Sequence, residues 1–177
     1  GEAVKRAADS LVDSQTDRGD WYDVGYTGEP TAGLVHAFEV IPDLAYRTAA
    51  EIAGSAILDD SGYDGIKGTF ALSPFATEAY ALTRVADISP DDIWRQAATD
   101  LFAQISATSG AEVYLDDLIS RDQPSFSVYD LARLAVAAHN VDGQERDVYR
   151  SKLIEVLPMI SNASAAPVFA LGMGVWG

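Results

Sequence analysis

What most constrains this chain is a regular exchange between two kinds of helical segment. Apolar residues recur at three- and four-residue spacing in Val4, Ala7, Leu11 and Val12, and again in Ala45, Ala49, Ile52, Ala53 and Ile57. The same spacing returns in Ile93, Ala97, Leu101, Phe102 and Ile105, and in Tyr149, Leu153, Val156 and Ile160. This period places one apolar stripe on each helix. These segments also carry charge: residues 2–18 hold seven charged side chains and residues 145–155 hold six. Between them lie segments with few charges. Thr31–Ile41 has only His36 and Glu39, Phe75–Ala86 only Glu78 and Arg84, and Phe126–Val141 only Asp130, Arg133 and His139. Ala165–Trp176 has none.

A helix apolar nearly all round must be enclosed by protein, whereas one with a charged face lies at the surface. The chain therefore predicts outer and inner helices in alternation, four times over. Inner helices are expected near 31–41, 75–86, 126–141 and 165–176. No stretch alternates with the period of two that a half-buried strand requires, so the fold class is all-α, in a single domain over 1–177. Pro30, Ser73-Pro74 and Pro167 punctuate the inner-helix starts. Ser89-Pro90-Asp91-Asp92 reads as a helix start, with Ser89 as cap and Pro90 at the first helical position. Gly19, Gly62 and Gly110 follow the outer helices. Thr31, Thr77, Ser127 and Pro167 are separated by 46, 50 and 40 residues. Helix pairs at that spacing build either an open solenoid or a ring of inner helices enclosed by outer ones.

The first outer helix exits through Gln15-Thr-Asp-Arg-Gly19-Asp-Trp21. This resembles the Q-x3-G-x-W motif of squalene cyclases and other terpene cyclases, which share the α/α toroid with the protein prenyltransferase β subunits. The resemblance implies an α/α toroid, and it extends over the whole chain through the repeat. The later copies are degraded: Tyr63 stands where Trp would, and no Gln-Gly-Trp set follows Gly110. The cyclase D-x-D-D and D-D-x-x-D acids are missing, since Asp116, Asp117 and Asp122 have the wrong spacing. A chain without cysteine cannot build the prenyltransferases' Asp/Cys/His zinc site. A closed toroid of this kind needs more than the four pairs counted here, and the chain stops at Val175-Trp176-Gly177 inside its most apolar segment. The expectation is an incomplete toroid, with the 165–177 helix covered either by a missing C-terminal portion or by a second copy in a homo-oligomer.

Charge excludes some partners. There are 27 acidic against 12 basic side chains, a formal net charge of −15, which opposes binding to nucleic acid or anionic lipid. The acids are mostly Asp, 19 against 8 Glu, which suits solubility, a high-salt surface or cation binding by loops. No uncharged apolar run has the length of a membrane span.

Candidate chemistry rests on the polar residues of the inner helices. Glu78 and Asp130 are candidates for an acid–base pair acting on a glycoside, and His36 for a general base. Trp21, Tyr22, Tyr80 and Arg133 are candidate substrate-binding residues, the loop aromatics offering stacking faces beside Asp17, Asp20 and Asp23. Structural alternatives stand beside each. Glu78 can complement a helix dipole, Asp130 can pair with Arg133, His139 can cap a helix end and Trp21 can plug one. Asp60-Ser-Gly-Tyr-Asp64-Gly65 matches only part of a calcium loop, because Gly62 and Ala71 occupy ligand positions; calcium is the sole cofactor suggested. There is no phosphate-binding G-x-x-x-x-G-K-[ST] loop and no G-x-S-x-G elbow. Three function classes remain: a toroid directed at a polysaccharide or small molecule, a terpenoid-cyclase-like domain, and a non-catalytic scaffold of a larger exported protein.

Overall fold

A computed structural model describes residues 1–21, 27–72, 74–108 and 133–141, together with positions 147, 148, 150, 151 and 154. It is mostly helical. Residues Gly1–Ala98 and Thr99–Gly177 form two compact units. The first contains α1 (Glu2–Ser14), α2 (Gly28–Val40), α3 (Leu44–Asp60), a hairpin of β1 (Tyr63–Asp64) and β2 (Thr69–Phe70), and α4 (Ala76–Ile88). Helix α5 (Ile93–Thr108) begins in the first unit and ends in the second. In the second unit residues 133–140 are helical, with Leu134, Ala135, Val136, Ala137 and Ala138 buried.

The described helices fall where hydrophobic period places them, but burial does not separate the two classes as expected: α3 buries eight of its 17 residues and α2 six of its 13. In α2 the residues Thr31, Leu34, Val35 and Ala37 are buried, and in α4 Ala76, Ala79, Ala81, Leu82, Thr83 and Val85. In α1 only Ala8 is fully buried. Directions follow from a few contacts. The α2–α3 link is the three residues 41–43, short enough to make an antiparallel helical hairpin. The Tyr46 hydroxyl donates to Asp9 at 2.7 Å, the Gln15 side chain to the Ala49 carbonyl at 2.9 Å, and Arg18 to Asp60 at 2.9 Å. Rising numbers on one side meet rising numbers on the other, so α1 and α3 run the same way. The start of α2 abuts the start of α4 at Gly28 and Thr77, while Glu39 near the end of α2 pairs with Arg84 on α4 at 2.5 Å. Helices α2 and α4 are therefore parallel as well, and opposed to α1 and α3.

The approach at Gly28 is close because it must be. A Cβ there would lie 2.5 Å from the Thr77 carbonyl carbon and 2.6 Å from the Glu78 amide nitrogen. Only glycine lets α2 and α4 begin this near one another. Farther along, the ring of Trp94 at the start of α5 lies against the backbone of Gly54 in α3.

Three details differ from the sequence expectation. A short β-hairpin interrupts the helices: Tyr63 pairs with Phe70 and Asp64 with Thr69, with the two rings 4.5 Å apart. Runs of two residues carry no readable period, so the strands are invisible to a test for alternation. Helix α5 begins at Ile93, leaving Pro90 outside it. The Asp91 side chain accepts from the Ile93 N–H at 3.0 Å, and Ser89 Oγ accepts from the Asp91 N–H at 3.2 Å and the Trp94 indole at 3.1 Å. Two overlapping side-chain turns have replaced the single cap. The first inner helix starts three residues before Thr31, so Pro30 lies within its opening turn, where the missing N–H has no intrahelical role.

Candidate functional site

The Q-x3-G-x-W segment works as one fastening. Gln15 Nε2 donates to the Gly19 carbonyl at 3.0 Å and to the Ala49 carbonyl in α3 at 2.9 Å. Gly19 has φ +91, and a Cβ on it would lie 2.7 Å from both the Ile52 Cγ2 and the Ile52 carbonyl oxygen. The turn thus needs glycine for its backbone and for its approach to α3. Trp21 closes the end of α1: its indole N–H donates to the Leu11 carbonyl at 2.9 Å, one of the carbonyls a helix end leaves without an internal partner. With 5% of its surface exposed, Trp21 offers no stacking face. The indole is spent on the helix end, the structural alternative set beside its substrate-binding reading.

Glu78 stands in the first turn of α4, where its carboxylate accepts from the Phe75 N–H at 3.0 Å. That is the return half of a capping box; Phe75 has no side-chain oxygen to supply the other half. Burial lifts the carboxyl above its ordinary 4.5, the Phe75 N–H pulls it back, and Asp60 nearby pushes it up again. The shift is in the direction a general acid needs, yet the group's hydrogen bond is to the helix end.

His36 lies on the exposed side of α2, its side chain 70% exposed and 3.8 Å from Glu39. It is eight residues along α2 from Gly28, about 12 Å of helix rise from the point where α2 touches the Glu78 amide. His36 and Glu78 therefore occupy different levels of the α2–α4 pair. Tyr80 is half-buried on α4. Arg133 is buried in the second unit. Asp130 and Tyr22 lie outside the described residues, as do the 165–177 segment and the loop aromatics Tyr26 and Tyr114.

Two carboxylates of the partial calcium loop have partners within the chain. Asp64 Oδ1 accepts from the N–H groups of Ile66 at 3.1 Å and Lys67 at 3.2 Å, and Oδ2 binds Lys67 Nζ at 2.9 Å. Lys67, with the two N–H groups, holds the Asp64 carboxyl below its usual range. Asp60 is paired with Arg18 at 2.9 Å.

Sequence reasoning missed a polar chain that ties three helices together. Arg84 contacts Glu39 on α2 at 2.5 Å and Asp87 at 2.6 Å, and Asp87 also receives Arg95 of α5 at 3.3 Å. The signal was present: Glu39 and Arg84 are opposite charges on segments otherwise nearly devoid of charge, and half-buried charges need partners. Among the described residues, no helix is long and apolar enough to cross a membrane. No protein-family model, curated protein or solved structure matches this chain.

Proposed function

We propose that the chain is an α/α-toroid-type repeat domain serving as a non-catalytic interaction scaffold. The observation that carries this reading is the employment of its candidate chemical groups. The Glu78 carboxylate holds the first turn of α4, the Trp21 indole closes α1, and Asp60 and Asp64 are tied to Arg18 and Lys67. Leu34 and Ala37 of α2, with Ala79 and Leu82 of α4, are buried small or aliphatic side chains that serve packing. Parallel inner helices opposed to parallel outer ones support the toroid-type repeat, as does the motif at Gln15, Gly19 and Trp21.

The purified chain is to be incubated with neutral and acidic polysaccharides, following new chain ends and binding heat. The expected result is neither turnover nor binding. Turnover by the parent that Glu78→Gln abolishes would overturn the proposal, because glutamine keeps the acceptor for the Phe75 N–H and removes only the ionisable group.

A carbohydrate-directed enzyme is the second reading, and one observation favours it: burial raises the Glu78 carboxyl toward the range of a catalytic acid. The terpenoid-cyclase-like reading draws on the Gln15–Gly19–Trp21 motif, whose described contacts are with α1, α3 and the motif's own turn.

A further inference from the structure

Helix α1 is fastened to the rest of the first unit unevenly along its length. Its last turn and the segment after it are held firmly: Gln15 bonds to the Ala49 carbonyl, Arg18 to Asp60, Gly19 closes on Ile52, and the buried Trp21 takes the Leu11 carbonyl. Toward its start, α1 has one polar side-chain tie to another helix among the described residues, the bond from the Tyr46 hydroxyl to Asp9 at 2.7 Å. The pair Lys5 with Asp9, also at 2.7 Å, lies within α1 and does not join it to anything else. Apolar cover is thin over the same stretch. Ala8 is the one fully buried residue of α1, Val4 is half-buried, and Ala3 and Ala7 are exposed.

The two kinds of hold differ in what water can do to them. A hydrogen bond to a carboxylate whose side chain is 43% exposed is largely offset by the bonds that water would make in its place. Helices α2, α3 and α4 pack against one another through buried apolar side chains such as Leu34, Val35, Ala53, Ile57, Ala79 and Leu82, whose removal from water nothing replaces. We infer that residues 2–10 form a strap that opens from α3 as one unit, with the Asp9–Tyr46 bond as its latch and the Gln15–Trp21 fastening as its fixed end, while α2, α3 and α4 stay packed. A segment this short is a marginal helix once its partner is gone, so opening also loosens its internal hydrogen bonds. What it uncovers is the hydroxyl end of Tyr46, a residue 1% exposed while the strap is shut. The strap goes beyond the scaffold reading and would work alike in a domain that binds and in one that catalyses.

The test is amide hydrogen exchange of the full chain, followed residue by residue by NMR under conditions where exchange reports the opening equilibrium. Three groups are compared: the amides of residues 6–10, the Gly19 amide, which bonds to the Thr16 carbonyl at 2.9 Å, and the amides of residues 82–85 in α4. The expected result is that residues 6–10 share one opening constant, at least about tenfold larger than that of Gly19 or α4. Tyr46→Phe keeps the ring and removes the hydroxyl; it should speed exchange of residues 6–10 about fivefold and leave Gly19 and α4 unchanged. Asp9→Ala removes the same bond from its half-exposed side and should match it, whereas Asp9→Asn keeps an oxygen to accept the hydroxyl and should change exchange by less. Residues 6–10 exchanging no faster than α4 would overturn the inference. So would a steady gradient from Gly1 with no shared constant, which is fraying of a chain end. A Tyr46→Phe variant that speeds all three groups alike, or none of them, overturns the latch.

Discussion

The side-chain nitrogen of Gln15 lies 2.9 Å from the carbonyl of Ala49, thirty-four residues on, and through that bond the end of α1 is tied to the body of α3. The same nitrogen donates back to the Gly19 carbonyl at 3.0 Å, so one carboxamide sets both the shape of the turn and its place on α3. Gln15→Ala removes both donations and leaves two partly enclosed carbonyls short of a donor. A loss of about 1–3 kcal/mol is expected, read from denaturant unfolding. Gln15→Glu should cost at least as much, since a carboxylate has no donor to replace the lost N–H groups. A glutamate variant as stable as the parent would show that the Gln15 bonds contribute little.

Much of the fold was legible from the apolar period. The outer segments beginning at Val4, Ala45 and Ile93 coincide with α1, α3 and α5, and the sparsely charged segments near 31–41 and 75–86 with α2 and α4. Burial acts on whole helices, so its pattern survives errors of a few residues. Boundaries follow other forces. The start of α5 is decided by two side-chain turns at Ser89 and Asp91, and the hairpin at Tyr63 and Phe70 by one ring pair and by Gly62 and Gly68, each of positive φ and each just before a strand. The site was less legible, because the type of a residue does not reveal its partner. Trp21 beside acidic residues reads as a sugar platform or, with the greater weight, as a helix plug, and its bond to Leu11 is the contact a plug requires. For Glu78 the sequence showed a place near a helix start, and the structure adds the bond its carboxylate accepts from the Phe75 N–H.

Gly28 and Thr77 give a pair of opposed predictions from one contact. A methyl group at Gly28 would press into the Thr77 backbone at 2.5 Å, and backbone cannot rotate away as a side chain can. Gly28→Ala should therefore destabilise by about 1–3 kcal/mol despite the better helix propensity of alanine. Thr77 Oγ1 is buried nearby without a hydrogen-bond partner among the described residues. Thr77→Val replaces that hydroxyl with a methyl group of similar size, and its melting temperature should equal or exceed that of the parent. A destabilised valine variant would mean that the hydroxyl has a partner.

Glu78 makes a prediction about pH. Its folded carboxyl is raised above the ordinary value, so the folded state holds this proton more tightly than the unfolded chain does. The resulting penalty is absent below the unfolded value of 4.5, grows as pH rises through the folded value, and is full at neutral pH. Glu78→Gln keeps an acceptor for the Phe75 N–H and carries no charge, so it should gain stability on the parent at pH 7 and lose that advantage near pH 4. Melting curves at both values check this. An advantage that grew toward acid would mean a lowered folded value, contrary to the burial of the group.

Salt dependence follows from the charge balance. With 27 acidic and 12 basic side chains, the folded chain confines an excess of negative charge, and that self-repulsion favours expansion. Salt shortens the reach of each charge from about 10 Å at 0.1 M to about 3 Å at 1 M. It weakens the exposed attractive pairs too, such as Lys5 with Asp9 at 2.7 Å and Lys67 with Asp64 at 2.9 Å. Exposed pairs of this kind are worth no more than about 1 kcal/mol each, and the acids outnumber any partners available to them. Repulsion therefore dominates, and the melting temperature should rise as sodium chloride is raised from about 0.05 M to about 1 M. A parallel series at fixed salt with pH lowered toward the sequence pI of about 4.2 should show the same repulsion relieved by protonation, over and above the change due to Glu78. A melting temperature that falls with salt would mean that the cation–carboxylate pairs, above all Arg84 with Glu39 and Asp87, outweigh the net charge.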